Sequence, residues 1–187
     1  MPPKVKITKE DIVKTSVELV RSGGEECVNA RAIAARLNCS TQPVFSNFET
    51  MDELHEALRA EAYRLYLGFI ESEISSGKYP KYKAFGMAYI RFAREEKKLF
   101  KFLFMCDEKK RATTPTLDFD ASVELVMESF GVAREKAQVI QLEMWSFVHG
   151  IAAMHATSFL LLEWDLISDM VTDVYQGLRA RHLAEEK

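Results

Sequence analysis

The sequence predicts an all-α protein: an N-terminal three-helix head containing a helix-turn-helix, joined to a C-terminal helical bundle. Apolar residues recur at helical spacing along most of the 187 residues, and they make up 48% of the chain, which is ample for a core. No stretch alternates apolar and polar residues for long enough to indicate a sheet. Residues that cap or break helices divide the chain into nine predicted helices.

The first predicted helix begins after Thr8 and ends at the glycine pair Gly23-Gly24. Thr8 can cap this helix, with Asp11 three residues later in place of the usual glutamate of a capping box. An apolar stripe from Ile12 to Val20 is predicted to face the core.

The second and third helices are short, and a tight break separates them. Asn29 is a suitable N-cap for the second helix, Asn38-Cys39 supplies the turn, and Ser40 is predicted to cap the third. Pro43 falls in the first turn of the third helix, where its missing N–H group costs little.

Longer helices are predicted after the head. Thr50 caps the first of them, and Glu53 at the third helical position completes a capping box. A charged, turn-forming stretch at 107–117 is predicted to be a loop. The six helices are predicted at about 50–74, 81–95, 97–106, 119–130, 133–162 and 164–183.

One uncharged stretch is long enough to be considered as a membrane-spanning helix. The residues between Glu143 and Glu163 include no Asp, Glu, Lys or Arg, and their number could just span a bilayer. The stretch nevertheless contains polar residues such as Ser146 and His155, and acids rather than basic anchors lie at both ends. We therefore predict a helix that is buried on several sides, and no membrane partner.

The charge is distributed unevenly. The formal net charge of −3 alone argues against a nucleic-acid binder, but residues 1–48 carry seven basic and five acidic side chains. The remaining residues carry 18 basic and 23 acidic ones. A basic head on an acidic body suits a protein that touches phosphate with one end only.

The cysteines and the N-terminus indicate a cytoplasmic protein. The three cysteines, Cys27, Cys39 and Cys106, are odd in number and lie in no metal-like spacing, which predicts reduced thiols. The N-terminal residues are basic but are followed by no apolar run, so they do not resemble a secretory signal.

The most informative motif is residues 29–54, NARAIAARLNCSTQPVFSNFETMDEL. A short amphipathic helix, a tight break and a second helix follow one another, an arrangement that can place the second helix in a DNA major groove. The motif resembles the DNA-binding head of the tetracycline-repressor (TetR) family of bacterial regulators, over about residues 8–54. The W-x-x-x-H-G sequence at 145–150 also resembles a signature in some C-terminal domains of this family.

The chemistry of the motif suggests how it would meet DNA. Gln42 can read adenine through paired hydrogen bonds, and Thr41 can contact a thymine methyl group or a phosphate. Val44 is a further candidate reader, while Asn29 and Arg31 are placed for phosphate contacts that position the protein without specifying a sequence. Basic contacts from Lys4, Lys6 and Lys9 on a flexible arm could add to these. The predicted DNA-binding residues are Asn29, Arg31, Ser40, Thr41, Gln42, Pro43, Phe45 and Ser46.

Three positions depart from the pattern of the family. Phe45 stands where a tyrosine usually contacts phosphate, Met51 where a lysine is usual, and Pro43 where a base-contacting residue is common. The losses predict weaker nonspecific affinity for DNA and a shallower dependence of binding on salt.

The resemblance implies that the rest of the chain senses a small molecule. Aromatic residues in the middle and near the W-x-x-x-H-G sequence could line the pocket, although ordinary core packing is the alternative for each of them. His149 and His155 are six residues apart and face different sides of their helix, so we expect no metal, and no cofactor is implied. The candidate ligand-binding residues are Phe85, Tyr89, Phe92, Phe104, Trp145 and His149.

The last predicted helix, 164–183, carries a broad apolar stripe from Leu166 to Leu178 beside a helix that is apolar nearly all round. This pairing predicts an interface that symmetry doubles into a four-helix contact, hence a homodimer. The resemblance then implies a ligand-responsive regulator, a repressor, that binds a near-palindromic operator and is released by a small molecule. Residues 1–49 would bind DNA, and residues 50–187 would sense the ligand and dimerise.

Two other classes of protein remain as alternatives. An all-α enzyme is one, although no paired carboxylates, nucleophile elbow, phosphate loop or metal spacing indicates catalysis, so we expect no enzyme. A helical adaptor that binds another protein through the 164–183 face is the other.

Overall fold

The computed structural model describes residues 7–106 and 120–184, and within these ranges the chain forms helices and no strand. The all-α prediction is confirmed, whereas the whole of the predicted loop at 107–117, with its basic cluster Lys109-Lys110-Arg111, lies outside the described residues. A single 3₁₀ turn spans Glu25–Cys27. The helices are α1 (Lys9–Gly23), α2 (Ala30–Arg36), α3 (Gln42–Asn47), α4 (Met51–Ser75), α5 (Lys81–Glu95), α6 (Lys97–Phe104), α7 (Asp120–Phe130), α8 (Arg134–Thr157) and α9 (Trp164–Ala184).

The chain folds into two compact units. Of the described residues, 7–65 and 98–106 form the first, the head unit, and 66–97 and 120–184 form the second, the bundle unit. Helices α4 and α6 each contribute residues to both units. The units therefore do not coincide with the predicted division of the chain after residue 49.

Local capping starts the first two helices as the sequence predicts. Thr8 and Asp11 form a reciprocal capping box, with N···O distances of 3.1 Å from the Asp11 amide and 2.9 Å from the Thr8 amide. The Thr8 amide and hydroxyl, which both donate to the Asp11 carboxylate, hold the pKa of that carboxyl below its usual value. Asn29 caps α2 by accepting the amide of Ala32 at 2.9 Å. Both caps satisfy N–H groups that have no partner within their helix.

Helix α2 is terminated by Asn38, a single residue in the left-handed conformation with φ +52°. The amide of Cys39 donates to the Ala34 carbonyl at 2.9 Å, and that of Asn38 donates to the Ala35 carbonyl at 3.3 Å. This is the pairing of a Schellman motif, and asparagine tolerates the left-handed conformation better than most residues. The predicted turn at Asn38-Cys39 is confirmed.

The predicted cap of α3 is wrong. Helix α3 begins at Gln42, and Thr41 rather than Ser40 is the capping residue, without a side-chain hydrogen bond. A serine at position 40 would cap by accepting the amide of residue 42 or 43, and Pro43 has no N–H group to offer. The amide of Val44 is satisfied instead by the Thr41 carbonyl, at 3.1 Å.

Helix α4 starts at its predicted cap. The hydroxyl of Thr50 accepts the amide of Glu53 at 3.1 Å. The Glu53 carboxylate reaches one residue further back than a standard capping box, to the amide of Glu49 at 2.8 Å, and it also pairs with Lys9 at 2.8 Å. The start of α4 is thereby tied to the start of α1.

A buried arginine of α4 organises the head unit. Arg59 is 5% exposed, and its guanidinium donates to the Phe102 carbonyl at 2.9 Å and to the Glu25 carboxylate at 3.3 Å. The guanidinium carbon also lies 4.3 Å from the centre of the Phe102 ring. All three cysteines of this unit are reduced and half-buried. The apolar core of the head unit includes Ile12, Val17, Val20, Ile33, Val44, Phe48, Leu54, Leu58, Leu99 and Phe100.

The bundle unit packs α8 against α5, α7 and α9. A phenol–amide bond crosses this core, since the Tyr82 hydroxyl donates to the Gln141 side-chain oxygen at 2.8 Å, and burial raises the pKa of the Tyr82 phenol. Arg91 of α5 pairs with the buried Glu73 of α4 at 2.6 Å. One cluster of the core comprises Val123, Val126, Phe130, Val132, Ala137 and Ile140.

Helix α8 ends five residues before its predicted end. It stops at Thr157, where Ser158 adopts φ +58° and a second Schellman pairing links the Phe159 amide to the Met154 carbonyl at 3.0 Å. The apolar residues that follow are not buried, since Phe159 is 81% exposed. The prediction of one buried helix through residue 162 is therefore wrong. Across the two described ranges, none of the helices combines the length and apolarity needed to cross a membrane.

His155, near the end of α8, is buried without the hydrogen bonds expected for an imidazole in a core. It is 1% exposed, and neither ring nitrogen has a hydrogen-bond partner among the described residues. Burial lowers the pKa of this histidine, and the positive charges of Arg94 and Lys97 lower it further. Buried polar groups are usually hydrogen-bonded, and this imidazole is an exception among the described residues.

We predict that Arg59→Met costs about 2–3 kcal/mol of unfolding free energy, because it leaves the Phe102 carbonyl unpaired and Glu25 without its guanidinium partner. The matched control is Arg64→Met on the same helix, whose side chain is 67% exposed and pairs only with Glu61. An exposed pair of this kind contributes little to stability. Urea unfolding measures both, and equal losses in the two variants would contradict the role assigned to Arg59.

We predict that His155 makes the protein less stable as the pH falls below about 6.5, the ordinary pKa of histidine. In that range the unfolded chain binds a proton at this residue while the folded chain, with its lowered pKa, does not. His155→Leu removes this contribution, so the difference in stability between pH 7.5 and 5.5 should be smaller in the variant. Urea titrations at the two pH values test this, and parallel pH profiles would refute it.

Candidate functional site

The helix-turn-helix of the head unit presents most of the predicted DNA-binding residues to solvent. Ile33 of α2, Val44 of α3 and Phe48 after it are buried, and these side chains hold the two helices in the core. Two of the eight predicted residues, Thr41 and Pro43, are half-buried. The exposed ones are Asn29, Arg31, Ser40, Gln42, Phe45 and Ser46.

Several polar groups of this surface are occupied by local bonds. The Asn29 side chain caps α2, and the Ser46 hydroxyl donates to the Gln42 carbonyl at 2.9 Å. The Asn47 amide donates to the Pro43 carbonyl at 2.8 Å. No described residue bonds the side chain of Thr41 or Gln42. These two are therefore the polar side chains on α3 and its cap that are available to bases, beside the exposed ring of Phe45.

Val44 cannot act as a reader of DNA. Its side chain is 1% exposed and fills the core, so the sequence-based suggestion that it reads bases is wrong. The neighbouring Phe45 is instead 53% exposed. In a short amphipathic helix, positions 44 and 48 lie on one face and position 45 turns about 100° away from 44.

Lys9 is held by the folded head rather than by a flexible arm. Its ammonium pairs with Glu53 at 2.8 Å and lies 4.5 Å from the centre of the Phe48 ring. The Lys9 bond, and then the Glu49 amide, hold the pKa of the Glu53 carboxyl below its usual value. The other two basic residues of the predicted arm, Lys4 and Lys6, lie outside the described residues.

Four of the predicted ligand-binding residues form one aromatic cluster in the bundle unit. The hydroxyl of Tyr89 and Nδ1 of His149 are 2.9 Å apart, and the His149 ring stacks on Trp145 with 4.8 Å between centres. Tyr66 of α4 bridges Tyr89 and Phe92, at centre distances of 5.9 and 5.5 Å. The cluster is defined as Tyr66, Tyr89, Phe92, Trp145 and His149.

Two of the predicted ligand-binding residues lie apart from this cluster. Phe104 belongs to the head unit, where its ring packs 5.2 Å from that of Phe100. Phe85 is half-buried on α5 and makes no ring contact with the described residues. Sequence reasoning missed Tyr66, although it lies one helical turn from the buried Ala62 and Ile70 and so marks the inward face of α4.

The cluster combines flat apolar surfaces with one fixed polar edge. Aromatic rings supply most of the contact area in small-molecule sites, and a few polar groups orient the ligand. The Tyr89–His149 pair can supply such an orienting group. Among the described residues, no three His, Cys, Asp or Glu side chains are grouped as metal ligands.

Comparison with known proteins identifies the family. A family model described as the C-terminal domain of tetracyclin repressor-like proteins matches residues 82–175, half of the chain. The chain belongs to the TetR family of transcriptional regulators. The predicted family is thereby confirmed, and the match covers α6, α7 and α8, all but the first residue of α5, and part of α9.

Solved structures of TetR-like regulators share the fold. A TetR-like transcriptional regulator from Rhodococcus sp. RHA1 superposes with a TM-score of 0.67 at 16% identity, over 98% of both chains. A putative transcriptional regulator of the TetR family from Vibrio parahaemolyticus gives a TM-score of 0.63 at 13% identity, over 90% of this chain and 97% of that one. No curated protein sequence matches the chain significantly. At these identities the structures bear on the fold alone.

Proposed function

We propose that this TetR-family regulator is a cytoplasmic, homodimeric repressor that binds a near-palindromic operator and releases it when a small molecule binds the bundle unit. The observation that carries the DNA-binding part is the exposed side of α3. Thr41 and Gln42 are available there to bases, while Val44 and Phe48 anchor the helix in the core. Residues 1–49 would provide the DNA-binding region, and residues 50–187 the sensing and dimerisation region.

The side chains of this surface can make two kinds of contact with DNA, one with bases and one with phosphates. Gln42 has a donor and an acceptor that match the N6 and N7 groups of adenine in the major groove. Arg31, exposed near the start of α2, can bind phosphate and so fix the register of the head without reading sequence. Two heads related by twofold symmetry would read two half-sites about one helical turn apart.

Exposed apolar residues on α8 and α9 support the homodimer. Val139 and Leu142 are three residues apart, hence on one face of α8, and they are 52% and 56% exposed. Leu166 of α9 is 49% exposed. Burial of these side chains against a second copy would remove apolar surface from water and pair α8 and α9 with their symmetry mates.

The aromatic cluster offers a site from which a ligand could act on the head unit. Tyr66 of the cluster and Arg59 of the head lie on the same continuous helix, α4. A small molecule that contacts Tyr66 and favours one position of α4 would shift the protein between two states. Affinity for DNA would then fall by the ligand's differential affinity for those states.

We predict that the Thr41→Ala, Gln42→Ala variant loses sequence-selective binding by at least about tenfold, because the available base readers are removed. Gel shifts with the DNA upstream of the gene for this protein measure the loss. Gln138→Ala, at an exposed position on α8, is the control and should bind as the unaltered protein does. A salt titration should give a shallow slope, since few phosphate contacts are available. Absence of any shift at low salt would exclude the proposed repressor.

We predict that Val139→Glu, Leu142→Glu dissociates the dimer, because the new carboxylates would have to be buried against the second copy. Sedimentation equilibrium should then give the mass of one chain. The control is Leu67→Glu, which changes an apolar residue of α4 that is 39% exposed. A variant that retains the mass of two chains would place the interface elsewhere.

A further inference from the structure

We infer that Phe45 reads thymine methyl groups, so that each operator half-site carries a thymine beside the adenine contacted by Gln42. The inference rests on the proposed DNA binding and adds the chemistry of the bases recognised. It concerns an aromatic side chain that the head presents to solvent at 53% exposure.

The exposure of Phe45 is unusual within its unit. The large apolar side chains exposed among the described residues of the head unit are Phe45 and Met105. Phe45 stacks on no ring and lies against no cation among the described residues. Isolated exposed apolar residues are common on proteins, so exposure alone assigns no role. The position of Phe45 on the helix that enters the major groove is what distinguishes it.

The neighbours of Phe45 limit what this helix can recognise. Residues 40–48, STQPVFSNF, contain no Arg or Lys, the side chains that read guanine, and no Asp or Glu, which accept from cytosine. The Ser46 hydroxyl and the Asn47 amide already donate to carbonyls of α3. What remains is Gln42, whose amide matches adenine, the hydroxyls of Ser40 and Thr41, which can contact either kind of base pair, and the ring of Phe45. This composition favours A·T pairs.

An apolar ring can distinguish A·T from G·C pairs in one way. Thymine alone among the four bases carries a C5-methyl group in the major groove, and apolar side chains including phenylalanine contact it. A phenyl ring has no group that can hydrogen-bond a phosphate, so Phe45 cannot make the phosphate contact of the tyrosine that is usual at this position. Burial of the ring and the methyl group against each other is favourable because both leave water.

The spacing of Phe45 and Gln42 places the two contacts close together. Residues three apart on a helix have Cβ atoms about 5–6 Å apart. The rise between base pairs is about 3.4 Å along each strand. The thymine read by Phe45 should therefore lie within about two base pairs of the adenine read by Gln42.

The test removes one methyl group at a time. The operator is first selected from random duplexes with the dimeric protein, and each thymine is then replaced by deoxyuridine, which keeps base pairing and loses only the C5-methyl group. We expect affinity to fall about three- to tenfold at one thymine in each half-site, near the adenine position. Phe45→Ala should bind the thymine and deoxyuridine operators equally, whereas Phe45→Leu, which keeps an apolar contact, should retain part of the preference.

The outcomes separate this inference from the repressor proposal. Sequence-selective binding that no deoxyuridine replacement weakens would overturn the role of Phe45 and leave the repressor intact. The same would follow if Phe45→Ala remained as sensitive to methyl loss as the unaltered protein. Failure to select any sequence would overturn the repressor proposal itself. Thermal unfolding of each variant accompanies the binding data, and the exposed position of residue 45 leads us to expect unchanged midpoints.

Discussion

The head unit depends on one buried cation, the guanidinium of Arg59. A buried charge is costly unless it is paired and hydrogen-bonded, and here a carbonyl, a carboxylate and an aromatic face supply the partners. Phe102 belongs to α6 and Glu25 to the turn between α1 and α2, so a single side chain of α4 joins three segments. Since α2 begins a few residues after Glu25, the same contact constrains where the helix-turn-helix starts.

The long helix α4 carries both Arg59 and a residue of the aromatic cluster. Its first half carries Arg59, while its second half carries Tyr66 of the aromatic cluster and Glu73, which pairs with Arg91. The 25 residues of α4 form one continuous helix, so Arg59 and Tyr66 belong to a single element. On the proposed function, a ligand that moves α4 must therefore either carry the Glu25 contact with it or break it. Both choices alter the head, which is the requirement for coupling the two sites.

The sequence predicted those features that depend on adjacent residues. The caps at Thr8, Asn29 and Thr50 are local hydrogen bonds, and each formed as predicted, although Glu53 bonds the amide of Glu49 and so does not complete the predicted box at Thr50. Ser40 does not cap α3, since the helix begins at Gln42 and Pro43 has removed one of the two amides that a serine at position 40 could accept. The predicted end of α8 is wrong for another reason. Ser158 adopts a left-handed conformation that is usually taken by glycine, so the sequence gives no signal that the helix ends there. The partners of Arg59, and the cations Arg94 and Lys97 near His155, come from distant segments, which periodicity cannot supply.

The candidate surfaces likewise depend on packing between distant segments, which helical spacing does not reveal. The exposed groups of α3 in turn limit which bases the head can recognise. Helical spacing alone puts Trp145 and His149 on one face, but only the packing of α4 and α5 against α8 adds Tyr66 and Tyr89. On α3, spacing separates an inward face from an outward one, and burial then decides that Val44 belongs to the first and Phe45 to the second. The outward face offers few groups, and each base contact is worth only about 1–3 kcal/mol of discrimination. One head alone would therefore discriminate poorly, and the proposed operator selectivity requires the contacts of two heads acting together.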